Sequence, residues 1–334
     1  MRLTNFFGML LVLVSLTANA KTLDEVKNKG YLKCGVSPFL PGFAAQENDV
    51  WQGMDIDICQ AVAIAIFNDA TKVQYLPLSA KERFTALQSG NIDLLSRNTT
   101  WTFTRDVALG LEFIGINFYD GQGLMAPKSS GIKSAKELSG ATVCTETGTT
   151  TELNIADFFR TNKMKYKIVS FDNIAKVIAA YNSGRCDVYS ADKSALISQK
   201  IKLTDPNAHF ILPDIISKEP LGPVVRENDS QWASIVRWTL YGLITAEEKN
   251  ITSHNIKTML QSNDPTTKRL LGTEGNLAKS LGLEKDFMVH VIEQIGNYGQ
   301  IFERNLGAAS TIGLERGLNE LWSKGGLVYA PPYR

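Results

Sequence analysis

The chain has 334 residues, 44% hydrophobic and 21% charged, the proportions of an ordinary globular protein. Its 35 basic and 34 acidic residues leave a net charge of +1, without the one-signed field that would favour nucleic acid or an anionic membrane. Small solutes are the expected partners, and nucleic acid is not.

The first twenty residues, MRLTNFFGMLLVLVSLTANA, have the parts of a secretory signal. Arg2 supplies the positive start, Phe6 to Ala18 the apolar stretch, and Ala18-Asn19-Ala20 a small-x-small cleavage site. The apolar stretch falls short of the roughly 18 residues needed to span a bilayer. Cleavage after Ala20 is therefore expected, and Lys21 leaves no cysteine there to carry a lipid. Residues 21–334 are expected to form a soluble, exported protein, long enough for two domains at roughly 100 to 200 residues each.

YLKCGVS reads as a buried strand, followed by a Pro/Gly loop and the helical pattern GMDIDICQAVAIAIF with Asp55 as N-cap. VQYLPL is a second strand, AKERFTALQSGN a helix closed by Gly90, and IDLLS a third strand. The polar segment APKSSGIKSAKELSG reads as the crossing to a second unit and its start. There the order repeats, with ATVCTETG a strand, TTTELNIADFFRTN a helix, YKIVSF a strand, NIAKVIAAYNSG a helix and CDVYS a strand. Both units write Ser-Gly-x-x-Asp-x-x-Ser at the last helix-to-strand junction, as SGNIDLLSRN and SGRCDVYSAD. Strands alternating with helices predict a doubly wound α/β sheet in each of two lobes.

EPLGPVVREND reads as a strand returning to the first lobe. The helical patterns WASIVRWTLYGLI, DFMVHVIEQIGNYGQIFERNL and GLERGLNELW predict a C-terminal helical extension covering that lobe. Lobe 1 is expected to span residues 21–125 and 223–334, and lobe 2 residues 126–222. Trp232, Trp238, Tyr241 and Trp322 read as core.

Cys34, Cys59, Cys144 and Cys186 belong to a chain bound for an oxidising compartment, so disulfides are expected. Cys34–Cys59 and Cys144–Cys186 keep each bridge within one repeat and leave the lobes free to move. No CxxC or His-rich spacing supports zinc, and neither metal nor cofactor is expected.

In an open α/β sheet, ligands bind beyond the C-terminal strand ends, here SRNTT and SADKS. SRNTTWTFTRD brings Asn98, Thr99 and Thr100 near Arg105, where hydroxyls, backbone N–H groups and a guanidinium fork suit a carboxylate. Standing alone, it would also read as a Thr-rich loop with a structural Arg105–Asp pair. TGTTTEL places Thr149, Thr150 and Thr151 at a helix N-terminus, a second anion site or an ordinary threonine cap with Glu152 in the first turn. Asp192 offers a carboxylate for an ammonium group. Together these features describe a receptor for a zwitterion.

The order GMDIDICQAVA, SGNIDLLSRNTTWTFTRD, TGTTTEL and GRCDVYSAD resembles the periplasmic solute-binding proteins of ABC uptake systems for polar amino acids, and within them the general L-amino-acid-binding branch. The resemblance covers essentially the whole mature chain. It implies a two-lobed Venus-flytrap fold, a monomer in the periplasm that captures L-amino acids with broad specificity and delivers them to an inner-membrane ABC permease. It also implies that the backbone of Asn98, the hydroxyl and amide of Thr100, Arg105 and Thr150 hold the α-carboxylate, while Asp192 takes the α-ammonium. Many relatives have an acidic residue where this chain has Ser37, which weakens the case for a second ammonium contact and for a preference for basic side chains. Glu146, Phe39 and Trp51 are candidate readers of the ligand side chain.

A dehydratase-like enzyme on the same fold is the alternative. The cleft motifs offer Asp192 and Glu146 but no histidine, nucleophile elbow or metal set, and a binding protein is expected. A sensor ectodomain is disfavoured because the chain reaches Arg334 with no membrane-spanning segment.

Overall fold

A computed structural model describes residues 21–334, and the expected signal segment lies outside the described residues. Among the described residues, two larger sheets repeat one plan. In the first, Leu32–Val36 lies between Val73–Pro77 and Leu94–Leu95, all parallel. In the second, Thr142–Glu146 lies between Lys167–Phe171 and Val188–Asp192, again parallel. Each sheet then takes an antiparallel strand from a crossing segment: Val224–Arg226 in the first and Phe118–Pro127 in the second. Helices cover both faces of each sheet, and separate apolar clusters lie under them. No helix among the described residues is long and apolar enough to cross a membrane.

The repeated Ser-Gly-x-x-Asp does two jobs in each lobe. Gly90 and Gly184 follow the helices Arg83–Gln88 and Ile174–Asn182 with φ of 76° and 73°, the left-handed turn that glycine makes without a Cβ penalty. The aspartate then fixes the start of the parallel pairing. Asp93 Oδ2 accepts from Lys33 N and Asp187 Oδ2 from Thr142 N, each at 2.8 Å. The backbone amides of Asp93 and Asp187 donate to the carbonyls of the same partners at 2.9 Å.

Both expected disulfides form, Cys34–Cys59 and Cys144–Cys186, with Cα separations of 6.2 and 5.7 Å. The first ties a strand to the helix Met54–Phe67 and the second ties Thr142–Glu146 to the turn after Ile174–Asn182, so neither joins the lobes. Removing the second with Cys144→Ala/Cys186→Ala is expected to cost about 2–4 kcal/mol in denaturant unfolding. A cost near zero would mean the bridge is absent in solution.

The chain crosses between lobes earlier than its composition suggested. APKSSGIKSAKELSG connects Phe118–Pro127 to Thr142–Glu146, both strands of the second sheet, so it carries no crossing. The expected boundary at 125/126 falls inside Phe118–Pro127. EPLGPVVREND is also two strands, Ser217–Leu221 in the second sheet and Val224–Arg226 in the first, parted at Gly222-Pro223. The crossings run so close together that a Cβ on Gly222 would lie 1.9 Å from the Gly115 carbonyl oxygen. Gly222→Ala is therefore expected to destabilise by on the order of 1–3 kcal/mol, read by urea unfolding. A wild-type midpoint would contradict this packing.

Further expectations are corrected. Asp55 does not cap Met54–Phe67: Gly53 does, at φ 131°, and a Cβ there would lie 2.2 Å from Phe43 O. GLERGLNELW forms the short turns Gly317–Asn319 and Trp322–Lys324, because Gly313 and Gly317 take left-handed φ values of 64° and 50°. Trp322 is exposed, its indole donating to Glu248, whereas Trp232 is buried and donates to Asp93 O. DFMVHVIEQIGNYGQIFERNL is two helices, Phe287–Ile295 and Tyr298–Asn305, broken at Gly296 and restarted by a capping box of Asn297 and Gln300. This extension packs on Met54–Phe67 and Ser230–Glu248 and reaches the crossing, where Tyr298 OH donates to Asn117 O at 2.8 Å and the Asn319 carboxamide bonds Tyr119 N and O.

Candidate ligand-binding site

The C-terminal ends of the two sheets face each other. After Leu94–Leu95 the chain turns through Asn98 at φ 27°, a strained value for a side chain other than glycine. Asp55, on the first turn of Met54–Phe67, holds this turn by accepting from Asn98 N at 2.9 Å and Ser96 Oγ at 3.0 Å. The Asn98 side chain then reaches across to Asp192, donating from Nδ2 to Oδ2 at 3.2 Å. The helix Phe103–Ala108 begins at Thr102, whose hydroxyl accepts from Arg105 N. That start turns the Arg105 guanidinium back to Thr100 O at 3.0 Å and, across the cleft, to Gly148 O at 3.5 Å.

In the opposite lobe, Thr149 precedes the helix Thr150–Thr161, but its hydroxyl donates back to Glu146 O at 2.7 Å instead of capping. Glu152 Oε2 accepts from Gly148 N, and among the described residues no side chain caps the helix amides that follow Thr149. The hydroxyls of Thr100 and Thr150 both donate to Glu219 Oε2, at 2.7 and 2.9 Å, while Asn154 and Ser217 occupy Glu219 Oε1. Glu219 thus gathers one threonine from each lobe at a single oxygen.

Between the two lobes lies a small cavity of about 40 Å³. Asn98, Thr100, Thr149, Thr150 and Asp192 lie in its wall with Glu146, and Arg105 stands beside it, bonded to Thr100. Phe39 is exposed and borders a neighbouring hollow of about 360 Å³ that shares Ile174 with the cavity. Trp51 packs against Tyr75 instead, and the buried hydroxyl of Ser37 has no hydrogen-bond partner among the described residues. Arg83, Arg97, Thr145, Glu219 and Tyr189 were missed by the sequence reading. Arg97 lay inside the quoted SRNTT motif, where a guanidinium directly before the strand-end turn was the available signal.

The charges are buried and opposed. Burial, then the neighbouring charges of Asp120 and Glu219, holds the Asp192 carboxyl well above the usual carboxylate range, against the Asn98 hydrogen bond and Arg83. Burial also pushes Asp55 and Asp120 up to about 6. Burial depresses Arg83, Arg97 and Arg105, the last to about 10, with carboxylates on the facing lobe opposing the effect.

A carboxyl whose pKa is higher folded than unfolded stabilises fully below its ordinary value of 3.8 and loses that contribution as pH rises through about 6. A shift of about two units corresponds to about 3 kcal/mol. The stability advantage of wild type over Asp55→Asn is therefore expected to shrink between about pH 4 and pH 6. Denaturant unfolding of both proteins across that range checks it, and a constant difference would contradict the burial of an ionisable Asp55.

Two lobes of one plan, joined by paired crossings and meeting at their C-terminal strand ends around buried opposite charges, define a two-lobed solute receptor. The chain belongs to the bacterial extracellular solute-binding proteins, family 3, whose pattern matches residues 32–253. It is 55% identical over 320 residues to the general L-amino acid-binding periplasmic protein AapJ of Rhizobium johnstonii, covering 95% of this chain and 94% of that one. It is 51% identical to the glutamate/glutamine/aspartate/asparagine-binding protein BztA of Rhodobacter capsulatus, end to end in both. A periplasmic binding protein from Brucella ovis, solved with glutathione bound, superposes with a TM-score of 0.92 at 54% identity, covering 94% of this chain and all of that one.

Proposed function

We propose that the protein binds L-amino acids of varied side chain in the cleft between its lobes and presents them, as a periplasmic monomer cleaved after Ala20, to an inner-membrane ABC permease. The observation that carries this reading is the division of complementary groups between lobes. Thr100 and Arg105 stand in one lobe, after its strand end and in the short helix that follows, and Thr150 and Asp192 in the other, at a helix start and a strand end, joined by the Asn98–Asp192 and Thr100–Glu219–Thr150 contacts. The α-carboxylate takes the Arg105 guanidinium, the Thr100 hydroxyl and amide, and the amides beside Thr149 and Thr150, whereas the Asn98 amide expected to join them is held by Asp55. The α-ammonium takes Asp192. We assign residues 21–117 and 222–334 to lobe 1 and 118–221 to lobe 2. The names of AapJ and BztA support amino acids as the ligand class.

A second reading has its own observation. The Brucella ovis structure holds glutathione, whose γ-glutamyl end carries the same ammonium and carboxylate pair as a free amino acid. Here the hollow beside Phe39 shares Ile174 with the cavity and offers adjoining room for a longer ligand.

Native mass spectrometry of protein purified without refolding, followed by thermal shifts with the twenty amino acids and glutathione, tests both readings. Ligand at 100 times its dissociation constant is expected to stabilise by about 2.7 kcal/mol. Amino acids recovered unchanged after incubation support a binder over an enzyme. A chain that none of these compounds stabilises contradicts the proposal.

A further inference from the structure

The α-ammonium and α-carboxylate contacts leave one charged pair in the cavity wall without a part. Arg97 follows the strand end of lobe 1 and Glu146 closes Thr142–Glu146 in lobe 2, and they are 2% and 8% exposed. Their contact is a single one, Arg97 Nη2 to Glu146 Oε1 at 3.4 Å. A committed guanidinium–carboxylate pair is shorter, about 2.7–2.9 Å, and commonly two-pronged. Each partner also has an anchor independent of the other. Arg97 Nε donates to Leu78 O at 2.8 Å, and Glu146 Oε1 accepts from Ala80 N at 3.2 Å. Beside Glu146, the Thr145 hydroxyl lines the same cavity, 1% exposed and without a hydrogen-bond partner among the described residues. A loose ion pair held at both ends next to an unused hydroxyl is a place where a ligand can enter.

Resting on the amino-acid reading, we infer that Arg97 and Glu146 form an exchangeable ion pair that lets one cleft accept acidic and basic ligand side chains. An acidic side chain replaces Glu146 opposite the Arg97 guanidinium. A basic side chain replaces Arg97 opposite the Glu146 carboxylate. A neutral side chain leaves the pair closed. In each case the displaced partner keeps its backbone hydrogen bond, Glu146 with Ala80 N or Arg97 with Leu78 O, while the matching ligand charge pairs with the other.

Titration calorimetry with L-glutamate, L-lysine and L-glutamine on wild type, Arg97→Gln and Glu146→Gln tests the exchange, with glutamine as the internal reference. Arg97→Gln is expected to weaken glutamate about ten-fold or more relative to glutamine, the scale of one lost charge-assisted hydrogen bond. Glu146→Gln is expected to do the same to lysine, sparing glutamate. The charge-swapped Arg97→Glu/Glu146→Arg protein is expected to keep both charged ligands. A wild type that takes only one charge class overturns the inference. So does a single variant that loses glutamine as strongly as the charged ligand, or a swapped protein that loses both charged ligands, since the pair is then a structural tie. If glutamine binds throughout and the charge ratios stay fixed, the exchange fails while the amino-acid reading stands. If wild type binds none of the ligands, it is the amino-acid reading that fails.

Discussion

Asp192→Asn is expected to weaken an intact L-amino acid by about 3 to 5 kcal/mol, the cost of leaving a buried charge without its partner. The side chain keeps its shape, so the loss should follow the ligand's amino group and be far smaller for the des-amino acid. The site gives the reason. Asp192 ends its strand buried, close to Asp120 and Glu219, and those charges together with burial make its ionised form unfavourable until a cation arrives. Under the proposed assignment, ammonium and proton compete for the same carboxylate. Wild-type affinity should rise with pH as Asp192 gives up its proton more readily, and the Asp192→Asn protein should lose that dependence. Calorimetry with an amino acid and its des-amino analogue, at several pH values, reads both effects. An equal penalty for the two ligands would make Asp192 a structural residue.

Arg105→Lys is expected to cost about 1.5 to 3 kcal/mol in binding although the charge is kept, because an ammonium cannot reproduce the planar fork. The Arg105 guanidinium already bridges Thr100 O in one lobe and Gly148 O in the other. A lysine reaches one such partner at a time. The penalty should follow the ligand carboxylate, being large for the free acid and small for the amide. With Asp192→Asn this forms a cycle in ligand and residue, where each variant is blind to the group it does not touch. Competition titrations with the weak analogues measure it, and an Arg105→Lys penalty indifferent to the carboxylate would remove Arg105 from the site.

Local signals carried much of this architecture. The doubled Ser-Gly-x-x-Asp marked both lobes because each copy performs the same task, a left-handed helix stop followed by a carboxylate that sets the strand pairing. The disulfides followed from the same repeat. SRNTTWTFTRD and TGTTTEL were legible because strand ends and helix starts are short-range features. The crossings were not, since Phe118–Pro127 and Val224–Arg226 join their sheets through antiparallel pairing with strands far away in sequence. Glu219 was hidden for a related reason: an isolated glutamate before Pro220 gains its place when Thr100 and Thr150 converge on it from different lobes. Asp55 was misassigned because an aspartate at a helix start usually caps, whereas the close Phe43 carbonyl reserves that position for Gly53.

In the proposed function the lobes close on an amino acid held by both. At about 40 Å³ the cavity holds on the order of a few waters, and contacts such as Asn98–Asp192, Arg97–Glu146 and Arg105–Gly148 span it. Entry of a ligand therefore requires those contacts to part. Small-angle X-ray scattering of the mature chain, first stripped of ligand and then saturated with an L-amino acid shown to bind by calorimetry, tests this most directly. A radius of gyration that falls on saturation, to a value matching the two-lobed arrangement described above, is the predicted result. An unchanged radius under proven saturation would contradict it.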